Sequence, residues 1–122
     1  MQNYKDLKVW TKAHLFTLEV YKLTKSFLAS ETYSLTSQMR MASFSIPSNI
    51  AEGCGKYSSP DFANFLNIAL GSSNESEYFL LLSKDLNYIS EEKYFEMEKS
   101  INEIKAMLIS LINKVRNAPL KT

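Results

Sequence analysis

Tyr94, Met97, Ile101, Ile104, Leu108, Leu111 and Val115 recur at alternating steps of three and four residues. That spacing draws one continuous apolar stripe along a helix and has no counterpart on a strand, where like residues alternate. A stripe of this length is not stable facing water. It needs partner helices on either side, in the shallow-angle packing of left-handed bundles. Whatever else the chain does, it has to supply those partners.

The rest of the sequence has the means. Among 122 residues there are only three Gly and three Pro, and the punctuation falls near 28–34, 53–60 and 87–91. Between these points the period is helical, which predicts four helices at about 5–27, 34–54, 60–87 and 91–117. The first carries two seams: Val9, Ala13, Phe16, Val20, Leu23, Phe27, and Leu7, Trp10, His14, Leu18, Tyr21. A helix apolar over most of its girth packs against more than one neighbour, within the chain or in another subunit.

The second helix buries Leu35, Met39, Ala42, Ile46, Ile50 and Gly53. Pro47 lies inside the pattern and should kink it, because the ring removes a backbone donor and orphans the Ser43 carbonyl. Gly53 and Gly55 provide a stop. For the third helix, Ser59 serves as N-cap with Pro60 at the first helical position. Its seams run Phe62, Leu66, Ala69, Ser73, Ser76, Leu80 and Phe65, Ile68, Ser72, Phe79, Leu82, and its small centre, Gly71 included, permits close approach. For the fourth, Ser90 caps, Glu91 and Glu92 fill the first turn, and Lys114 and Arg116 the last, each matching the helix dipole. Four long helices joined by short loops predict an all-α, antiparallel up-down-up-down four-helix bundle forming a single domain over 1–122.

Several function classes drop out. The longest apolar run, Tyr78 to Leu82, is too short to span a bilayer. The start lacks a signal-peptide pattern, so a cytoplasmic location is expected. One cysteine, Cys54, excludes an internal disulfide framework and a cysteine-built zinc site. Bundle di-metal centres use Glu-x-x-His on paired helices, a spacing absent here, so neither metal nor other cofactor is expected. His14 and Cys54 could pair as base and nucleophile. The reading adopted instead is a hydrogen-bonded, packed histidine and a small buried thiol, and no enzymatic activity.

Two polar sets remain. Gln38, Arg40, Ser45, Asn49 and Glu52 recur near helical spacing beside Pro47. They are read, with Glu75, as an internal network that supports the interrupted helix. Arg40 is expected to pair with Glu75 or Glu77. The second set is the charge pattern. Net charge is only +1, yet antiparallel packing gathers Lys5, Lys8, Lys12, Lys56, Lys114, Arg116 and Lys121 at one pole, against Asp6, Glu52 and Asp61. The acids of 85–98 go to the other pole. Tyr4 and Tyr57 lie near the basic end, where lysines engage phosphates and aromatic rings stack bases. The competing reading is that these lysines are ordinary solvated helix ends.

The run Leu35-Thr36-Ser37-Gln38-Met39-Arg40-Met41-Ala42 and the string Ser45-Ile46-Pro47-Ser48-Asn49-Ile50-Ala51-Glu52-Gly53 resemble the 23S rRNA intervening-sequence protein family. Trp10-x-x-Ala13-His14, Tyr21-Lys22-Leu23-Thr24, Phe62-x-x-Phe65-Leu66-x-Ile68-Ala69-x-Gly71-Ser72 and Glu75-x-Glu77 support it, so the resemblance covers about 6–89. It implies a four-helix bundle without known enzymatic activity, a homopentamer, and a role in binding RNA or DNA. A similar family, the accessory proteins of diversity-generating retroelements, forms basic pentamers that partner a reverse transcriptase and RNA. Where family members carry paired arginines, this chain has Arg40-Met41 and Lys56-Tyr57. Self-association is expected mainly through helices one and four, whose Met107, Ile109 and Ile112 lie off the seam. A protein-interaction role is the alternative to nucleic-acid binding.

Overall fold

The computed structural model describes residues 2–117. Four helices, α1 (Lys8–Thr24), α2 (Leu35–Cys54), α3 (Ser59–Asp85) and α4 (Glu91–Arg116), form an all-α up-down bundle. Each packs on its neighbours in a closed ring: α1 on α2, α2 on α3, α3 on α4 and α4 on α1. Among the described residues no helix is long and apolar enough to cross a membrane.

The core is the union of the stripes. Val9, Ala13, Phe16 and Val20 from α1 meet Met39, Ile46 and Ile50 from α2, Leu66, Ala69 and Leu80 from α3, and Met97, Ile101, Ile104, Leu108 and Ile112 from α4. Removing such a side chain from water contributes about 1.5–3 kcal/mol. Small residues let α3 come close: Ala69, Ser73 and Ser76 are almost completely buried. Gly71 has no part in this, because a Cβ there would meet nothing within 4 Å.

Helix ends follow local chemistry. α1 starts at Lys8, later than its apolar pattern suggests. Leu7 is extended (φ −86°, ψ 125°), and Tyr4–Asp6 forms a separate 3-10 turn. Ser58, one residue earlier than expected, caps α3, its Oγ accepting the Asp61 N–H at 3.2 Å. Ser90 caps α4 as expected, accepting from Lys93 N at 3.1 Å. At the α3–α4 connection Asn87 takes φ 64°, a left-handed conformation that Asn tolerates better than most residues.

Pro47 lies buried inside α2, and the helix continues through it. Pro47 has no N–H to give the buried Ser43 carbonyl. The partner comes from α1: the Thr17 hydroxyl lies 3.0 Å from Ser43 O and 2.9 Å from Ala13 O. Its single proton is shared between the helix's own carbonyl and the orphan across the interface. An unmade hydrogen bond at a buried carbonyl costs about 1–3 kcal/mol. Thr17→Val, of nearly the same shape, is therefore expected to destabilise the fold by about that amount in urea unfolding. In a Pro47→Ala background, residue 47 regains its N–H and the same substitution should cost clearly less. Equal costs in the two backgrounds would refute the link.

A second tie closes the far end of the bundle. The Tyr88 hydroxyl, beyond α3, donates to Glu31 at 2.7 Å, and the Ser34 hydroxyl donates to the same carboxylate at 2.5 Å. Hydrogen bonds from Ser34 and then Tyr88 hold Glu31 below its ordinary value of 4.5. The unfolded chain therefore takes up the proton more readily. The stability from this group is complete above the ordinary value and is lost as pH falls through the lower folded one. Tyr88→Phe removes one donor and should reduce the acid-side loss. Urea midpoints at about pH 7 and about pH 3 measure this linkage, and an unchanged difference would count against it.

Candidate nucleic-acid interface

The antiparallel arrangement brings the start of α1, the end of α2, the start of α3 and the end of α4 to one pole. The N-terminal segment is anchored there. Gln2 N–H donates to Cys54 O at 3.4 Å, and Asn3 Oδ1 accepts the Lys5 N–H at 3.0 Å. Tyr4 sits edge-on to Trp10, with centroids 4.9 Å apart. Across the pole, Gly53 brings the last turn of α2 against α3. A Cβ at Gly53 would lie 2.9 Å from Phe65 Cβ and 3.0 Å from Phe62 Cδ1, so only glycine allows this approach.

Between these elements opens a cleft of about 530 Å³. Leu7, Phe62, Leu111 and Val115 give it apolar walls, and the buried Cys54 lines it too. Lys56 and Lys114 supply its cations, and Tyr57, 95% exposed, stands beside them. An adjoining hollow of about 400 Å³ shares Leu7, Leu111 and Lys114 with the cleft and adds Lys8. Three lysines from three helical ends thus line two neighbouring hollows.

The other expected cations are placed differently. Lys5 lies in the 3-10 turn, 5.9 Å from the Tyr4 ring centroid, and Arg116 is exposed in the last turn of α4. Lys12 is not part of the basic cleft. It pairs with Glu103 at 3.1 Å on the α1–α4 seam, one turn too far along α1. Lys121 lies outside the described residues. Acids moderate the pole: Glu52 sits 3.9 Å from Lys56, and Asp6 and Asp61 flank it. Such an exposed pair holds the lysine only weakly.

The expected polar network divides. Ser45 and Asn49 do interact: Asn49 Nδ2 donates to Ser45 O at 2.7 Å and Ser45 Oγ at 2.9 Å, and Ser45 Oγ meets Ser72 Oγ of α3 at 2.9 Å. Arg40 turns the other way, toward α1. Its Nε donates to Thr24 Oγ1 at 2.8 Å and its guanidinium covers the Tyr21 ring at 4.7 Å. Glu77 is taken by Lys105 of α4 at 2.9 Å. Gln38, Glu52 and Glu75 are exposed and outside the network. Sequence reasoning missed Thr17, because a threonine beside an apolar seam gives no sign of which carbonyl it reaches.

Nucleophilic chemistry finds little support. Burial pushes the Cys54 thiol up, away from the reactive thiolate. His14, expected to be packed, is instead exposed, stacked on Trp10 at 5.0 Å with planes 6° apart. Among the described residues no group of three or more His, Cys, Asp or Glu is placed to hold a metal ion.

The outer apolar surface is also distinctive. Leu18 (52% exposed) and Tyr21 of α1 stand level with Phe44 (43% exposed) and Met41 of α2, since Thr17 meets Ser43 and Arg40 meets Tyr21. The second seam of α1 therefore divides: Leu7 and Trp10 pack against the core, and His14, Leu18 and Tyr21 lie outside the bundle. On α4, Ile112 is buried and Met107 packs on the core, leaving Ile109 exposed.

The profile of the 23S rRNA-intervening sequence proteins matches residues 5–110. The chain belongs to that family. A crystal structure of a protein of unknown function from the S23 ribosomal protein family of Bacteroides thetaiotaomicron is similar over 86% of this chain and 95% of its own. The two share 34% sequence identity and superimpose with a TM-score of 0.80. No curated protein matches the chain. The family match includes Lys8 and Lys56 and ends before Lys114 and Arg116.

Proposed function

We propose that the protein is a non-enzymatic, self-associating bundle that binds RNA or DNA weakly and without sequence preference through its basic pole. The observation that carries this reading is the convergence of Lys8, Lys56 and Lys114 on one pair of hollows beside the exposed Tyr57 ring. Ammonium groups that meet phosphates displace their counterions, a contribution independent of base sequence. Asp6, Glu52 and Asp61 oppose them, which keeps the affinity low.

The reading has a quantitative consequence. Affinity for a labelled oligonucleotide, followed by fluorescence anisotropy, should fall steeply as salt rises. Each of Lys8→Gln, Lys56→Gln and Lys114→Gln should lower the slope of log K against log salt by up to about one. Lys12→Gln is the control, because that lysine lies on the α1–α4 seam and lines neither hollow. Binding that stays flat with salt, or four variants of equal effect, would overturn the reading.

The apolar surface of α1 and α2 favours a protein contact in addition. Leu18, Tyr21, Met41 and Phe44 form an outer face of the kind that marks an interface. Its proposed occupant is a second copy, in the homopentamer that the family resemblance implies. An accessory role beside a nucleic-acid enzyme such as a reverse transcriptase is the alternative occupancy. Leu18→Glu combined with Phe44→Glu should turn the oligomer into a folded monomer in light scattering, because neither side chain belongs to the core. A wild-type protein that scatters as a monomer at micromolar concentration would remove self-association. Capture of a partner enzyme after nuclease treatment would favour the accessory role.

A further inference from the structure

We infer that the basic pole takes single-stranded rather than duplex nucleic acid, holding two successive unstacked bases on either side of Lys114. This rests on the nucleic-acid reading above and specifies its ligand. The two hollows, about 530 and 400 Å³, lie side by side with Leu7, Leu111 and Lys114 in the linings of both. A phosphodiester lies between consecutive bases, and one lysine between two hollows matches that order of groups. Lys56 on one side and Lys8 on the other meet the flanking phosphates.

The walls also suit bases. Leu7, Phe62, Leu111 and Val115 present apolar surface, which a base face covers and a solvated phosphate does not. Tyr57 stands 95% exposed at the rim with no ring stacked on it among the described aromatic pairs. In a duplex the bases are already paired and stacked, so these walls have nothing to receive. Only the phosphates of a duplex can reach the lysines.

The test compares a labelled ten-nucleotide single strand of thymidines with a mixed-sequence duplex of equal length, at low salt. The single strand is expected to bind about tenfold tighter. Tyr57→Ala should remove most of that preference, and Tyr57→Phe should restore it. Equal binding of both forms, or a single-strand preference that survives Tyr57→Ala, would overturn the inference while leaving phosphate binding intact. Binding of neither form would overturn both.

Discussion

The unbroken apolar stripe of α4 has to be covered from both sides, and the rest of the molecule is arranged by that demand. α1 and α3 do the covering, and α2 closes the ring between them. Short connections force the helices to alternate in direction. Alternation in turn carries helix ends that are distant along the chain to common poles. The cleft that gathers Lys8, Lys56 and Lys114 is therefore a by-product of core closure. No local sequence motif encodes it.

The interfaces around the ring are built by different means. α2 and α3 meet through small residues, with Gly53 against Phe62 and Phe65 and a serine pair, Ser45 and Ser72. α1 and α2 are joined by polar atoms that cross the interface, Thr17 to Ser43 and Arg40 to Thr24. α1 and α4 are strapped by ion pairs at the rim, Lys12 to Glu103 and Lys93 to Glu19. Exposed ion pairs contribute little to stability, so the α1–α4 seam depends chiefly on the apolar contacts beneath them. Of these devices, the Thr17 contact is the most specific, since it meets a need that Pro47 alone creates.

The poles differ in chemistry for a related reason. At the acidic end the connections are tied to each other: Glu31 receives both Ser34 and Tyr88, and Asn87 adopts the left-handed turn that brings Tyr88 there. At the basic end the connections leave hollows. Gly53 draws α2 and α3 together at depth, while Tyr57 and Lys56 remain outside the core. One end of the bundle is thus closed on itself, and the other carries the two hollows.

The apolar periods, the caps and the scarcity of Gly and Pro determined four helices and their antiparallel order, because burying stripes of that length admits few other solutions. Sequence also showed that the Ser43 carbonyl lacks a donor, which follows from the ring of Pro47 alone. Only the tertiary structure decided which group answers it, since a hydroxyl's reach across an interface depends on helix rotation. Rotation likewise turned Arg40 to Tyr21 rather than to an acid, placed Lys12 on a seam, and left His14 and Leu18 outside. A shift of one residue moves a side chain about a quarter turn around a helix. Spacing along the chain therefore fixes which residues share a face, and packing fixes what that face meets.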